Sequence, residues 1–114
     1  MSDCIFCMIS EGKIPAQILV ENDNIIAFRD VNPQASTHIL IIPRKHERST
    51  QDLNLTNYML FGEMALIANK VAELEGITDK GYRWVVNTGN HGGQTVDHLH
   101  MHLIGGRKLT WPPG

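Results

Sequence analysis

The chain has 114 residues, 42% of them hydrophobic and 19% charged, with a formal net charge of −2, which suits one modest core and leaves too little for two. Its pI near 6.3 and scattered lysines and arginines supply neither a basic stripe for nucleic acid nor a basic amphipathic helix for a membrane surface. No apolar run reaches transmembrane length and the first residues lack the basic start and long apolar segment of a signal peptide, so a cytoplasmic protein with reduced thiols is expected.

Residues 4–10 form a short apolar segment stopped by Gly12 and Pro15, which predicts one or two helical turns. The segment opens on Cys4-x-x-Cys7, half of a tetrahedral zinc site. Inert thiols and a thioredoxin-type redox pair are the competing readings, and the redox pair wants an upstream strand that three preceding residues cannot supply. Residues 17–21 and 24–28 are β-rich runs around Asn22-Asp23, the pattern of a hairpin. Residues 38–42 are a nearly continuous apolar strand ended by Pro43, expected at the centre of a sheet and covered on both faces. Leu60, Met64, Ile67, Val71 and Leu74 then recur at intervals of four and three, one apolar stripe on a long helix that Gly76 ends. Residues 82–87 read as a strand and residues 89–95 as a loop too rich in glycine to be an element. Gly105-Gly106 closes the last strand, and the tail Thr110-Trp-Pro-Pro-Gly114 can continue neither a helix nor a central strand.

Half of the six histidines occupy every second position from His98 to His102, interleaved with Leu99, Met101 and Leu103. On a strand the histidines share one face and the apolar residues the other. Alternate strand residues lie ~6.6 Å apart, so His98 and His102 are separated by roughly 13 Å at the backbone, too wide for all three to converge on one ion. A neutral imidazole whose second nitrogen carries an anchored proton keeps a lone pair able to act as a nucleophile. The loop at residues 87–95, immediately upstream, has the glycines that let backbone N–H groups approach an anion. Trp111 places a large apolar surface on an arm stiffened by two prolines, and needs cover from its own subunit or another.

The alternation from His98 to Ile104 resembles the defining motif of the histidine triad superfamily of nucleotidyl hydrolases and transferases. Residues 28–46, 87–95, Gly105-Gly-Arg107 and Trp111-Pro-Pro-Gly114 are similar to its Hint branch, the histidine triad nucleotide-binding proteins. The resemblance covers almost the full length. It implies an α+β fold, a five-stranded antiparallel sheet with one long and one short helix. A single domain would span residues 1–114, with 107–114 as a C-terminal tail, and two copies would join their sheets in a homodimer. The implied activity is hydrolysis of the P–N bond of purine nucleoside phosphoramidates, or of related adenylates such as aminoacyl-AMP.

In that family His100 is implied as the nucleophile at the α-phosphorus, giving a covalent nucleotidyl-histidine. His102 would hold a phosphate oxygen and serve the leaving group, while His38 orients the triad that His98 begins. Gly93, Gln94 and Thr95 are implied at the phosphate, Asn87 at a phosphate or ribose oxygen, and Asp30 at the ribose hydroxyls. Ile5, Phe6, Ile9, Phe28, Val31 and Leu40 would form the base slot, and Trp111 of the tail would bias the leaving group. Some bacterial members resembling this chain bind structural zinc through such a Cys-x-x-Cys and two histidines, which gives Cys4, Cys7, His46 and His98; no organic cofactor is implied. The diadenosine polyphosphate hydrolase branch is the enzymatic competitor, disfavoured by the Trp111-Pro-Pro-Gly114 ending. A non-catalytic nucleotide-sensing module is the competing class. Asp97, where the branch often has an aromatic, either pairs with an imidazole or caps the strand in solvent, and His91 is expected to be exposed.

Overall fold

The apolar run of residues 38–42 becomes the middle of the sheet in a computed structural model that describes residues 3–114. The elements in chain order are α1 (Ile5–Ser10), β1 (Ile18–Glu21), β2 (Ile25–Arg29), β3 (Thr37–Pro43), α2 (Met59–Leu74), β4 (Tyr82–Val85), α3 (Gly89–Gly92) and β5 (Met101–Gly105), with a 3-10 turn at Thr50–Asp52. The five strands pair antiparallel in the order β1-β2-β3-β5-β4. All seven residues of β3 are buried, each large aliphatic side chain contributing about 1.5–3 kcal/mol by leaving water.

Alternation along the strands divides the apolar side chains between two layers. Ile25, Ala27, Ile39, Ile41, Leu99, Met101 and Leu103 pack under α2. Ile26, Phe28, Leu40 and Ile42 face the other way, toward Phe6 and Ile9 of α1. Six helical residues are too few to persist alone. That packing holds α1, and the Arg44 guanidinium caps it by donating to the Ser10 carbonyl at 2.8 Å. The Asn22 side chain closes the β1–β2 hairpin by accepting from the backbone N–H groups of Asn24 and Ile25, both at 2.8 Å.

The sheet-facing side of α2 is Met64, Ala68, Val71 and Ala72, with Leu60 and Ile67 half-buried, whereas Leu74 is 63% exposed. The expected stripe is therefore rotated toward two alanines. Gly76, at φ +71°, ends the helix as expected. Just before it, Glu75 accepts both ends of the Arg29 guanidinium at 2.9 and 2.8 Å, tying the helix terminus to β2. Strand β4 stops at Val85, two residues earlier than its composition predicts, and the glycine-rich segment expected to be irregular contains the helical turn α3, terminated by Gly93 at φ +85°. No helix among the described residues is long and apolar enough to cross a membrane.

Strand β5 also begins later than the histidine alternation suggests. Its pairing with β3 starts at Ile41–Met101, and continuing that register would set Leu99 against Pro43, which has no N–H to offer. Residues 98–100 lie outside the ladder, with His98 in a bend, yet the alternation of faces persists through them.

Candidate active site

His98, His100, His102 and His38 lie on the α1 face of the sheet, opposite the layer that holds Leu99, Met101 and Leu103. Leu40 stands beside His102 across the ladder and His38 beside Ile104. Phe6 of α1 meets His98 and His100 edge-on, with ring centroids 5.9 and 5.2 Å away. The ring of His102 is 5.1 Å from that of His100 and 5.2 Å from that of His38.

The hydrogen-bond partners fix where each imidazole carries its proton. His100 Nδ1 lies 2.6 Å from the His98 carbonyl; a carbonyl only accepts, so Nδ1 bears the hydrogen and Nε2 keeps its lone pair. The backbone N–H of Gln34 donates to His38 Nδ1 at 3.0 Å, which puts the His38 proton on Nε2. That proton is shared between His102 Nδ1 at 2.9 Å and a carboxylate oxygen of Asp30 at 3.4 Å. His102 Nδ1 therefore accepts, and its Nε2 carries the hydrogen. Three consecutive donors, Gln34 N–H, His38 Nε2–H and His102 Nε2–H, thus point along one chain, and each link polarises the next.

Burial keeps these rings neutral at pH 7. It pushes His102 down to about 4, helped by the neighbouring His100 and His38, and it lowers His100 and His38 against the opposing pull of Asp30. A neutral His100 with a free Nε2 is a nucleophile; a neutral His102 with Nε2–H is a hydrogen-bond donor. Asp30, His38 and His102 also come close enough together to suggest a metal site. The Gln34 N–H argues against it, because His38 cannot expose a lone pair on Nε2 while Nδ1 is accepting.

These groups open onto a cavity of about 730 Å³, the size of a small-molecule site. Of the residues expected to meet a nucleotide, Ile5, Phe6, Ile9, Phe28, Asp30, Val31, Leu40, Asn87, Gly93 and Thr95 line it, together with His38, His100 and His102. Val31 stands at the rim, fully exposed. Three expected residues are elsewhere. His98 is completely buried and turned toward the cysteines, so it does not share the cavity with the other two triad members. Gln94 spends its amide on the backbone, accepting from Gly89 N–H at 2.9 Å and donating to the carbonyls of Arg48 at 2.7 Å and Val96 at 3.0 Å. It staples the loop of residues 87–95 and does not line the cavity. Trp111 is 80% exposed and outside the cavity of its own chain. The sequence reading missed Ile14, Pro15, Ala16, Arg29, Asn32, Gln34 and Val96, which complete the wall; all but Arg29, at the end of β2, sit in irregular segments where no periodicity marks an inward side. A second cleft of about 740 Å³, between Gly76–Gly81 and Gly106–Lys108, holds no histidine, cysteine or carboxylate.

Cys4, Cys7, His46 and His98 gather behind the cavity, contributed by the start of α1, the loop after β3 and the segment before β5. Cys4 Sγ and His98 Nδ1 are 3.3 Å apart, Cys7 Sγ lies 3.3 Å from His46 Nδ1 and 3.5 Å from His98 Nδ1, and the two Nδ1 atoms are 3.2 Å apart. A tetrahedron with Zn–S ≈ 2.3 Å and Zn–N ≈ 2.0 Å requires about 3.3 Å between two nitrogens and about 3.5 Å between nitrogen and sulfur, so the donor set fits zinc. His98 Nε2 donates to the Pro43 carbonyl at 2.8 Å, which anchors the ring and leaves Nδ1 as the free donor atom. Burial holds His98 near 4 and raises the Cys7 thiol, with Cys4 beside it adding to the rise. Asp97 is exposed and makes no ion pair with an imidazole among the described residues, and His91 is exposed on α3.

A family model described as HIT domain matches residues 11–109. The purine nucleoside phosphoramidase of Escherichia coli strain K12 is 47% identical over 107 residues, covering 94% of this chain and 90% of that protein. The crystal structure of a HIT family hydrolase from Legionella pneumophila Philadelphia 1 superimposes with a TM-score of 0.96 at 49% identity, covering 98% of this chain and 100% of the other. A histidine triad nucleotide-binding protein from Candida albicans superimposes with a TM-score of 0.83 at 30% identity over 96% of this chain and 83% of its own.

Proposed function

The chain belongs to the HIT domain family, and on that premise we propose that it is a nucleotide hydrolase cleaving the P–N bond of purine nucleoside phosphoramidates. The observation that carries this reading is the His100 imidazole on the wall of a cavity able to hold a mononucleotide, neutral and anchored through Nδ1 so that the lone pair stays on Nε2. The apolar wall of Ile5, Phe6, Ile9, Phe28 and Leu40 suits a purine, and Asp30 suits the ribose hydroxyls. Asn87, Gly93 and Thr95 lie where they can meet the α-phosphate.

His100 Nε2 attacks the α-phosphorus in line with the departing amine. The new N–P bond forms as the P–N bond to the amine breaks, and the nitrogen takes that electron pair together with a proton from water. His102 Nε2–H, held in direction by His38, donates to a phosphoryl oxygen and stabilises the charge that develops there. The hydroxide left by protonation of the amine makes the second attack, which releases AMP and restores the imidazole, so one water is consumed overall. Catalysis on this account is positioning of a nucleophile and a donor on one rigid face.

Cys4, Cys7, His46 and His98 would hold zinc in a structural role, tying α1, and with it the base slot, to the histidine strand, since His98 is directed away from the cavity. A homodimer is the proposed assembly. The exposed Trp111 and the half-exposed Trp84 of edge strand β4 favour cover by a second copy. Comparing turnover of an adenosine phosphoramidate with that of a diadenosine polyphosphate tests the substrate class: the former is expected to be the better substrate by kcat/KM, and the reverse order would place the enzyme in the competing branch.

A further inference from the structure

The nucleophile sits just outside the sheet. The β3–β5 ladder begins at Met101, so neither His100 nor the two residues before it take their position from strand pairing. What fixes them is a set of contacts made by His98 and its peptide. The His98 ring donates from Nε2 to the Pro43 carbonyl, while its Nδ1 lies within 3.5 Å of Cys4 Sγ, Cys7 Sγ and His46 Nδ1. The peptide that follows is held at both ends: Leu99 N–H donates to the Glu47 carbonyl at 2.7 Å, and the His98 carbonyl accepts from His100 Nδ1 at 2.6 Å. Glu47 adjoins His46 in sequence, so two cluster histidines stand next to the two ends of this hydrogen-bonded chain. Phe6, between the two cysteines, buttresses the His98 and His100 rings together.

We propose that the Cys4–Cys7–His46–His98 cluster is the positioning device of the nucleophile: by gripping His98 it orients the peptide whose carbonyl holds the His100 proton on Nδ1 and thereby keeps the lone pair on Nε2. The inference rests on the reading of His100 as nucleophile and adds a cause for its tautomer. An imidazole in water exchanges its proton between both nitrogens, and only a fixed acceptor on one side selects a single form. The cluster is where that acceptor's position is determined, since no strand partner determines it. Cys4, Cys7, His46 and His98 act through His100 and are positioning residues.

The test uses the full chain labelled with 15N in its histidines, with Zn2+ bound, after removal of metal by a chelator, and after Zn2+ is returned. Two-bond 1H–15N correlation reads the tautomer of His100 directly and does not depend on turnover. The expected result is a single Nδ1–H form with zinc, a mixture of tautomers without it, and recovery on return. In parallel, kcat for an adenosine phosphoramidate should fall at least tenfold in the metal-free protein while KM stays within about twofold. Should the metal-free chain unfold, His46→Ala retains three of the four donors and His46→Asp refills the fourth. A lowered kcat and mixed tautomer in the first, restored in the second, supports the proposal. A pure Nδ1–H form of His100 in folded metal-free protein, or in His46→Ala, overturns it. Absence of turnover in the zinc-loaded protein counts instead against the phosphoramidase reading, and the tautomer still decides the positioning role.

Discussion

Replacing His38 by asparagine isolates the donor chain from the nucleophile. The asparagine carbonyl oxygen can still accept from Gln34 N–H as Nδ1 does at 3.0 Å, but the shorter side chain cannot donate across to His102 Nδ1, now 2.9 Å from His38 Nε2. His102 is then free to place its hydrogen on Nδ1, which turns a lone pair toward the phosphoryl oxygen it should be donating to. Losing one hydrogen bond to a charged group costs about 1.5–3 kcal/mol, and at 1.36 kcal/mol per decade the expected fall in kcat is about 10- to 150-fold. Because the donor acts on charge that grows in the transition state, KM should move by no more than a few-fold. The assay is steady-state hydrolysis of an adenosine phosphoramidate by parent and His38→Asn proteins with matched circular dichroism. A kcat within twofold of the parent, or a loss confined to KM, would refute the role given to the Gln34–His38–His102 chain.

Two other perturbations probe the loop and the buried rings. Gln94→Ala removes three hydrogen bonds, two that close residues 89–96 on themselves at Gly89 N–H and the Val96 carbonyl and one that ties them to the Arg48 carbonyl. The net cost of about 1.5–4 kcal/mol should appear partly as lower stability and partly as AMP binding weakened about tenfold, and an unchanged AMP Kd by calorimetry would show that the staple does not shape the phosphate site. Acid should destabilise the fold before any carboxylate titrates. His98 and His102 are held near 4 and His38 and His100 below their ordinary value, whereas in the unfolded chain imidazoles take up protons near 6.5. The unfolded state therefore binds more protons below about pH 6.5, and the stability these rings contribute at pH 7 is lost as pH falls toward 4. Allowing for the partial solvent access of His102, urea midpoints should report a loss of about 1–3 kcal/mol between pH 7 and pH 5; equal midpoints would mean that the rings are not buried neutral.

Much of this architecture was legible because period two and apolarity carry it. The separation of His98, His100 and His102 from Leu99, Met101 and Leu103 follows from alternation alone, and the unbroken run of residues 38–42 marks a strand buried on both faces. The helix stripe was misplaced toward Leu74 because Ala68 and Ala72 weigh little in a hydrophobic pattern although both are buried on the sheet-facing side. Local glycine content hid the helical turn at Gly89–Gly92, which Gly93 terminates by adopting a positive φ. The ladder's late start came from Pro43 on the neighbouring strand, a non-local effect of a missing N–H.

At the site, the family resemblance supplied the residues and the structure supplied their directions. His46 joins the cysteines across 39 residues of chain, a distance no spacing rule bridges. The backbone N–H of Gln34, which sets the tautomer of His38, carries no side-chain signal at all. Gln94 belonged to the correct loop, but its amide faces three backbone groups and its role is to hold that loop in shape.

The central claim is a transient bond between phosphorus and the lone pair on His100 Nε2. Rapid mixing of the protein with an adenosine phosphoramidate, quenching at alkaline pH within milliseconds, and mass spectrometry of the digested chain will look for that bond directly. AMP attached to His100, forming and decaying at rates compatible with turnover, is the predicted result. Full turnover with no nucleotide on His100 at any time, or with turnover retained by His100→Gly, would contradict it.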